Sequence, residues 1–150
     1  MNELLEVYDM TRVLFERFEF VKKCLEETVK KQKLSYKTGA VYISLHYCSK
    51  KGCLYCPHHF EFRQRLTNVE NQKKGTRYRS IRLASKRITH RDLWKIEKDY
   101  LYPMLKKMES ELRPLQEERD ELAARIRRII TLLRNFDIKN DKRIIGEQKK

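Results

Sequence analysis

The stretch Cys48-Ser-Lys-Lys-Gly-Cys53-Leu-Tyr-Cys56-Pro-His58-His59 places three cysteines and two histidines within twelve residues. Four residues separate Cys48 from Cys53, two separate Cys53 from Cys56, and two separate Cys56 from His59. Loops this short allow a turn to direct neighbouring side chains at one ion, and thiolate and imidazole are donors that zinc prefers. The stretch therefore predicts a single structural zinc ion bound by Cys48, Cys53, Cys56 and one histidine.

The fourth ligand is either His59 or His58. We favour His59 because Pro57 constrains the approach of its neighbour. Two other interpretations of the cysteines stay open. They are unligated surface thiols, although clustered exposed thiols are easily oxidised, or ligands of a catalytic zinc that keeps one position for water. The His-x-Glu element that precedes the cysteines in cytidine deaminases has no counterpart upstream of Cys48, which favours structural zinc.

Amphipathic patterns flank the cysteines on both sides. Apolar residues recur at helical spacing between residues 2 and 32, which predicts a long amphipathic helix. Val41–Tyr47 alternates apolar and polar side chains and predicts a half-buried strand that leads into Cys48. Phe60–Leu66 and Thr76–Leu83 are expected to pair as an antiparallel hairpin, with a tip between Asn68 and Gly75.

The C-terminal third carries a heptad pattern. Eleven positions from Leu101 to Phe136 alternate spacings of four and three, and ten of them are apolar. This pattern is typical of a coiled coil or a helical hairpin, with Pro103 and Pro114 expected to break or kink it unless Pro103 opens the helix. The predicted oligomer interface comprises Leu105, Leu112, Leu115, Arg119, Leu122, Ile126, Ile129 and Leu133. Arg119 is a polar residue among these apolar heptad positions, and such a residue commonly fixes the helix register or marks a contact with a partner. The sequence leaves open whether the heptad positions pack within one chain or between two chains.

These elements predict an α+β protein with a small three-stranded antiparallel zinc-stapled sheet between a long N-terminal helix and a long heptad-patterned C-terminal helix. The expected division is an N-terminal helix at 1–36, a zinc-binding β module at 37–88, a coiled-coil-like helical region at 89–138 and a basic flexible tail at 139–150. Thr89 and Asp92 have the spacing of a capping box and predict a helix start.

The charge is strongly positive. Lysine and arginine number 35 against 21 acidic residues, for a formal net charge of +14. An excess of this size favours a polyanionic partner, and nucleic acid (DNA or RNA) is the common one. The candidate nucleic-acid-binding residues are Lys50, Lys51, Arg63, Arg65, Lys73, Lys74, Arg77, Tyr78, Arg79 and Arg82. A merely solvated basic face and a surface for an acidic protein are the alternatives.

The sequence predicts neither a membrane-spanning nor a secretory segment, and it predicts a cytoplasmic protein. No apolar run approaches the length that crosses a bilayer, and the acidic N-terminus is unlike a signal peptide. Reduced thiols in the cytoplasm favour metal binding over disulfides. No set of nucleophile, base and acid stands out, so an enzyme is not expected.

The chain resembles an uncharacterised family of small prokaryotic proteins associated with mobile elements. The similarity covers about Val41 to Phe136 and rests on Cys48, Cys53, Cys56 and the run Gly75-Thr-Arg-Tyr-Arg-Ser-Ile-Arg-Leu83. It implies a compact module of a zinc loop and a hairpin followed by a charged helix. That family has no settled activity to transfer.

Together these features predict a non-enzymatic, zinc-stabilised nucleic-acid-binding protein that acts as an accessory or architectural subunit and forms a homodimer through its heptad positions. The alternative is a protein–protein adaptor that docks its coiled coil on a larger nucleoprotein enzyme.

Overall fold

A computed structural model describes residues 2–33, 37–66 and 77–148, without the side chains of residues 2–4 and 137–148. The fold is α+β, with helices flanking a three-stranded antiparallel sheet. In chain order the elements are α1 (Asn2–Lys30), β1 (Val41–His46), β2 (His59–Arg65), β3 (Tyr78–Ser80), α2 (His90–Trp94), a 3-10 turn (Asp99–Leu101) and α3 (Tyr102–Gln148). Within these residues, none of the helices combines the length and the apolar character that crossing a bilayer requires.

The sheet has the strand order β1-β2-β3. Along β1 the side chains alternate between buried and half-buried, as the sequence pattern predicts. The partners Ile43 and Phe62 point to the buried side, which we call the inner face. The other side, the outer face, carries Tyr42, Ser44, His46, His59, Glu61, Arg63, Arg65, Tyr78 and Ser80.

The predicted hairpin of β2 and β3 is present, but its second strand is shorter than expected. Among the described residues of the predicted strand Thr76–Leu83, which begin at residue 77, Tyr78–Ser80 is strand. The pairs Arg63 with Ser80 and Arg65 with Tyr78 place these four residues on the outer face. The predicted tip, with Lys73 and Lys74, lies outside the described residues.

Both long helices pack against each other and against the inner face of the sheet. α1 contributes Phe18, Val21 and Leu25 to this core, and α3 contributes Leu105 and Ile126 among others. Each of these side chains is almost fully buried, and full burial of such a side chain contributes about 1.5–3 kcal/mol. The core therefore fixes the sheet on a helical platform.

The heptad positions of α3 pack within one chain. Leu105, Leu112, Leu122 and Ile126 are buried in the chain's own core, and Leu115 packs against it. The expected interface between copies is therefore wrong at these positions, because α1 and the sheet already cover them.

Near Ile129 and Leu133, the buried positions of α3 no longer follow the heptad pattern. Ile130, rather than the predicted Ile129, packs on the core, and Leu133 is only half-buried. A straight α-helix drifts by roughly 20° per heptad relative to a 3.5-residue repeat, so its buried stripe leaves the heptad positions after a few turns. A long coiled coil is not seen in the described residues.

Residues 89–101, which were expected to begin the coiled-coil-like helical region, form a short helix and a 3-10 turn before α3. Thr89 and Asp92 form the predicted capping box at the start of α2. The helix then ends after Trp94, because Glu97 adopts a positive φ of 59° and the N–H of Lys98 donates to the carbonyl of Leu93. This is a Schellman-type helix end.

α3 starts afresh one residue before Pro103 and runs through Pro114 to Gln148. Pro103 is therefore tolerated, because the first turn of a helix needs no backbone donor there. The predicted break at Pro114 does not occur, because α3 is continuous from Tyr102 to Gln148. The predicted boundary between the helical region and a tail at residue 139 falls inside α3.

Candidate metal centre

The cysteine loop connects the end of β1 to the start of β2. It brings together Cys48, Cys53, Cys56 and His58, whose donor atoms all lie within 4.8 Å of one another. We call these four residues the cysteine cluster. The backbone N–H of His58 donates to the carbonyl of His46 at 2.9 Å, and His46 is also the register partner of His59, so His58 is held at the end of the loop.

A tight turn delivers Cys53 to the cluster. The N–H of Cys53 donates to the carbonyl of Lys50 at 3.3 Å, and Gly52 has a φ of +75°. Side chains with a Cβ rarely adopt that conformation, so glycine suits this position in the turn. The turn folds Cys53 back toward Cys48 and Cys56.

The spacing within the cysteine cluster matches a tetrahedral ion. The sulfurs of Cys48 and Cys56 are 3.4 Å apart, and Cys53 Sγ lies 3.5 Å from His58 Nε2. Zinc–sulfur bonds of about 2.3 Å and zinc–nitrogen bonds of about 2.0–2.1 Å place tetrahedral ligands about 3.6–3.8 Å apart. Three thiols and one imidazole therefore form a set compatible with one metal ion site.

The thiols of the cluster differ in acidity. The pKa of Cys53 is lowered to about 6, first because its sulfur interacts with the backbone N–H of Tyr55 and then because of the Cys48 side chain. Burial raises the pKa of Cys56, although its sulfur also accepts from the backbone N–H of Cys48 at 3.3 Å. Metal binding requires the thiolate form, which the lowered pKa of Cys53 favours.

The structure corrects the choice of histidine. His58 joins the cysteine cluster, whereas the predicted ligand His59 begins β2 and lies on the outer face of the sheet. Its ring stacks on His46, with centroids 4.8 Å apart and planes at 13°. Because successive residues of a strand point to opposite sides, a one-residue difference decides which histidine meets the cysteines.

Arg119 fastens the cysteine loop to α3. Its side chain is only 5% exposed. It donates to the carbonyl of Pro57 at 3.0 Å and to that of Tyr55 at 2.7 Å. The same guanidinium lies 3.4 Å from His58 Nδ1. The polar residue in the heptad seam is therefore satisfied within the chain, and its positive charge lies beside a site that three thiolates and a divalent ion would leave negative.

Gln116, one turn before Arg119, makes a second connection to the loop. Its amide accepts from the N–H of Phe60 at 3.0 Å and donates to the carbonyl of His58 at 2.8 Å. In a longer sheet, a neighbouring strand would form hydrogen bonds with this N–H and this carbonyl, and the Gln116 side chain takes its place. Neither Gln116 nor the loop contact of Arg119 was predicted, because nothing in the sequence indicates which seam residue faces the cysteines.

An aromatic contact completes the support of the loop. Tyr55 packs edge-on against Phe18 of α1, with ring centroids 6.4 Å apart. The guanidinium of Arg127 lies over the same tyrosine ring at 4.4 Å. Both long helices therefore hold the residue that precedes Cys56.

The predicted nucleic-acid-binding residues are distributed over several surfaces. Arg63, Arg65 and Tyr78 lie on the outer face. Arg79 pairs with Gln64 on the opposite side and donates to its Oε1 at 2.7 and 3.0 Å. The remaining described members, Lys50, Lys51, Arg77 and Arg82, are exposed.

His58→Ala is expected to weaken metal binding by the cysteine cluster at least about tenfold, since it removes one of four ligands. The neighbouring change His59→Ala is the matched control and should leave this affinity unchanged. Titration with Co²⁺, followed by thiolate-to-cobalt absorption, measures the cluster selectively. An equal loss in both variants would contradict the placement of His58.

No protein-family model matches the chain, and no curated protein or solved structure is significantly similar to it. The resemblance to the uncharacterised prokaryotic family therefore stays a prediction, and function is argued from the geometry above.

Proposed function

We propose that this chain is a non-enzymatic, zinc-stabilised protein that binds nucleic acid as an accessory or architectural subunit. Zinc is the metal that suits the cysteine cluster, because three soft thiolates and one imidazole fill a tetrahedron. A closed set of four protein ligands leaves no position for a reacting water, which is the arrangement of a structural ion.

The observation that carries nucleic-acid binding is the pairing of arginine and tyrosine on the outer face of the sheet. The guanidinium of Arg63 lies 4.0 Å from the centre of the Tyr78 ring, and that of Arg65 lies 5.3 Å from the centre of the Tyr42 ring. Both helices pack on the inner face, so the arginines and tyrosines stand on the other side of the sheet. Guanidinium groups neutralise phosphates, and aromatic rings offer stacking surfaces to bases.

Further positive charge elsewhere in the chain favours a polyanionic partner. Lys50 and Lys51 are exposed on the turn of the cysteine loop, and Arg82 is exposed beyond β3. Glu61 offsets part of this charge through its ion pair with Arg63. With a formal net charge of +14, the chain still attracts polyanions over a long range.

Fluorescence anisotropy with labelled single-stranded DNA and RNA tests the proposal. We expect binding that weakens steeply between about 50 and 200 mM salt, because bound phosphates release counterions. Arg63→Gln combined with Arg65→Gln should weaken binding at least tenfold and reduce the salt slope by about 1.4, the contribution of two phosphate contacts on a single strand.

The matched control removes the same two charges from α3. Arg125 and Arg128 are exposed there, and Arg125→Gln combined with Arg128→Gln should have a much smaller effect. Equal losses in the two double variants would show that the outer face is not the binding surface. Absence of binding at low salt would reject nucleic-acid binding and leave a protein–protein adaptor as the remaining candidate function.

A protein–protein adaptor is the second candidate, and exposed apolar side chains on the helices favour it. Val13 and Phe20 are more than half exposed on α1, as are Leu132 and Phe136 on α3. A second copy of the chain or a larger nucleoprotein enzyme would cover such side chains. The proposed homodimer would therefore use these residues rather than the buried heptad positions.

A further inference from the structure

A second group of metal-binding side chains lies on the outer face of the sheet, beside the cysteine loop. It consists of His46, His59 and Glu61, whose donor atoms all lie within 4.8 Å of one another. None of the three belongs to the cysteine cluster. Two imidazoles and one carboxylate are a donor set typical of zinc and other divalent transition metals.

The register of the sheet brings these residues together. His46 lies directly opposite His59 in the antiparallel pair of β1 and β2, and Glu61 is the next residue of β2 on the same face. Side chains opposite each other on paired strands have Cβ atoms about 4.5–5.5 Å apart. The paired strands therefore hold all three donors on one rigid piece of backbone. Gln116 and the cysteine loop fix the end of these strands.

The distances are close to those of a bound ion. His59 Nε2 lies 3.9 Å from Glu61 Oε2. Ligands bound to zinc at about 2.0–2.2 Å stand about 3.3–3.5 Å apart when the geometry is tetrahedral. The other donor pairs lie within 4.8 Å, and the nearly parallel rings of His46 and His59 must turn before both nitrogens face one ion.

Arg63 orients the carboxylate of this group. Its Nε donates to Glu61 Oε1, so the other oxygen, Oε2, is the one directed toward His59. A neighbour that fixes the direction of a ligating carboxylate commonly strengthens a metal site. The ion pair of Arg63 and Glu61 thus leaves one oxygen for a metal.

We propose that His46, His59 and Glu61 form a second site for a divalent transition metal. Three protein ligands leave at least one coordination position for water or for an oxygen of a bound molecule. The His59 side chain is 51% exposed, so ions from solvent reach it directly. This site is weaker and more exchangeable than the cysteine cluster, because it lacks thiolates. It does not depend on the proposed nucleic-acid binding.

Equilibrium dialysis of the 150-residue chain, already holding one zinc, against Co²⁺ tests the proposal. We expect one additional cobalt per chain without the absorption that cobalt gives when thiolates bind it. His46→Ala and Glu61→Gln should each weaken this cobalt binding at least about tenfold, while the zinc content stays at one per chain. A retained zinc and an unchanged thermal transition show that each variant is folded.

His90→Ala is the control, because His90 is a histidine that stacks on Tyr102 outside the group. It should bind cobalt as the unaltered chain does. Failure to bind a second metal ion at millimolar Co²⁺ would overturn the proposal. Binding that survives both His46→Ala and Glu61→Gln, or that shows thiolate absorption, would also overturn it.

Discussion

Cys56→Ser is expected to lower the melting temperature of the chain by at least about 10 °C and to abolish tight binding of the proposed zinc ion. The cysteine loop joins β1 to β2, and the sheet comprises three short strands in the part of the chain that the structure describes. A structural zinc site contributes on the order of 10 kcal/mol, which is comparable to the whole stability of a typical domain at about 5–15 kcal/mol. Metal analysis and thermal unfolding followed by circular dichroism measure both effects.

Cys24→Ser is the matched control, because Cys24 lies in α1 and is the cysteine that does not join the cysteine cluster. We expect it to change stability by about 1 kcal/mol or less and to keep one zinc per chain. Removal of zinc from the unaltered chain with a chelator should reproduce the effect of Cys56→Ser. A chain that contains no metal, or that melts at the same temperature after chelation, would contradict the zinc proposal.

Local patterns were sufficient to predict the elements around the site. Alternation in Val41–His46 placed Ile43 on the inner face, and the capping box at Thr89 and Asp92 formed as expected. The three cysteines were identified by their spacing alone, because they lie in one loop and come together with little help from residues distant in sequence. These predictions succeeded where the physical cause is local.

The predictions failed where long-range packing decides between local alternatives. The choice between His58 and His59 depends on where β2 begins, and that is set by the pairing of β1 and β2 and by Gln116 of α3. The heptads of α3 could pair with another copy or with α1, and the periodicity is the same in both cases. The early end of α2 depends on Glu97, since a glutamate in the left-handed region has no sequence signal.

Arg119 shows how tertiary structure gave a different role to a residue that the sequence had singled out. A polar residue in a heptad seam indicates register or partner choice. Here the partner is the backbone of the cysteine loop, since the guanidinium binds the carbonyls of Tyr55 and Pro57. α3 therefore serves as a brace for the candidate metal centre, and the long helix and the small sheet depend on each other.

Arg119→Met is expected to destabilise the chain by about 3 kcal/mol, because two carbonyl oxygens lose a charged donor in a buried site. Methionine preserves most of the apolar volume, so the loss reports hydrogen bonding and charge rather than a cavity. The same change should weaken zinc binding at least about tenfold, since the loop would no longer be held in its binding conformation. Denaturant unfolding and competition with a zinc chelator measure the two effects.

Two further substitutions separate the physical causes. Arg128→Met makes the same change at an exposed position of α3 and should alter stability by no more than about 0.5 kcal/mol. Arg119→Lys retains the charge but replaces the planar guanidinium by a single ammonium, which is poorly suited to bind both carbonyls at once. It should therefore recover only part of the lost stability and zinc affinity. If Arg119→Met behaved like Arg128→Met, the brace between α3 and the cysteine loop would be excluded, because the loop would then hold its metal without that contact.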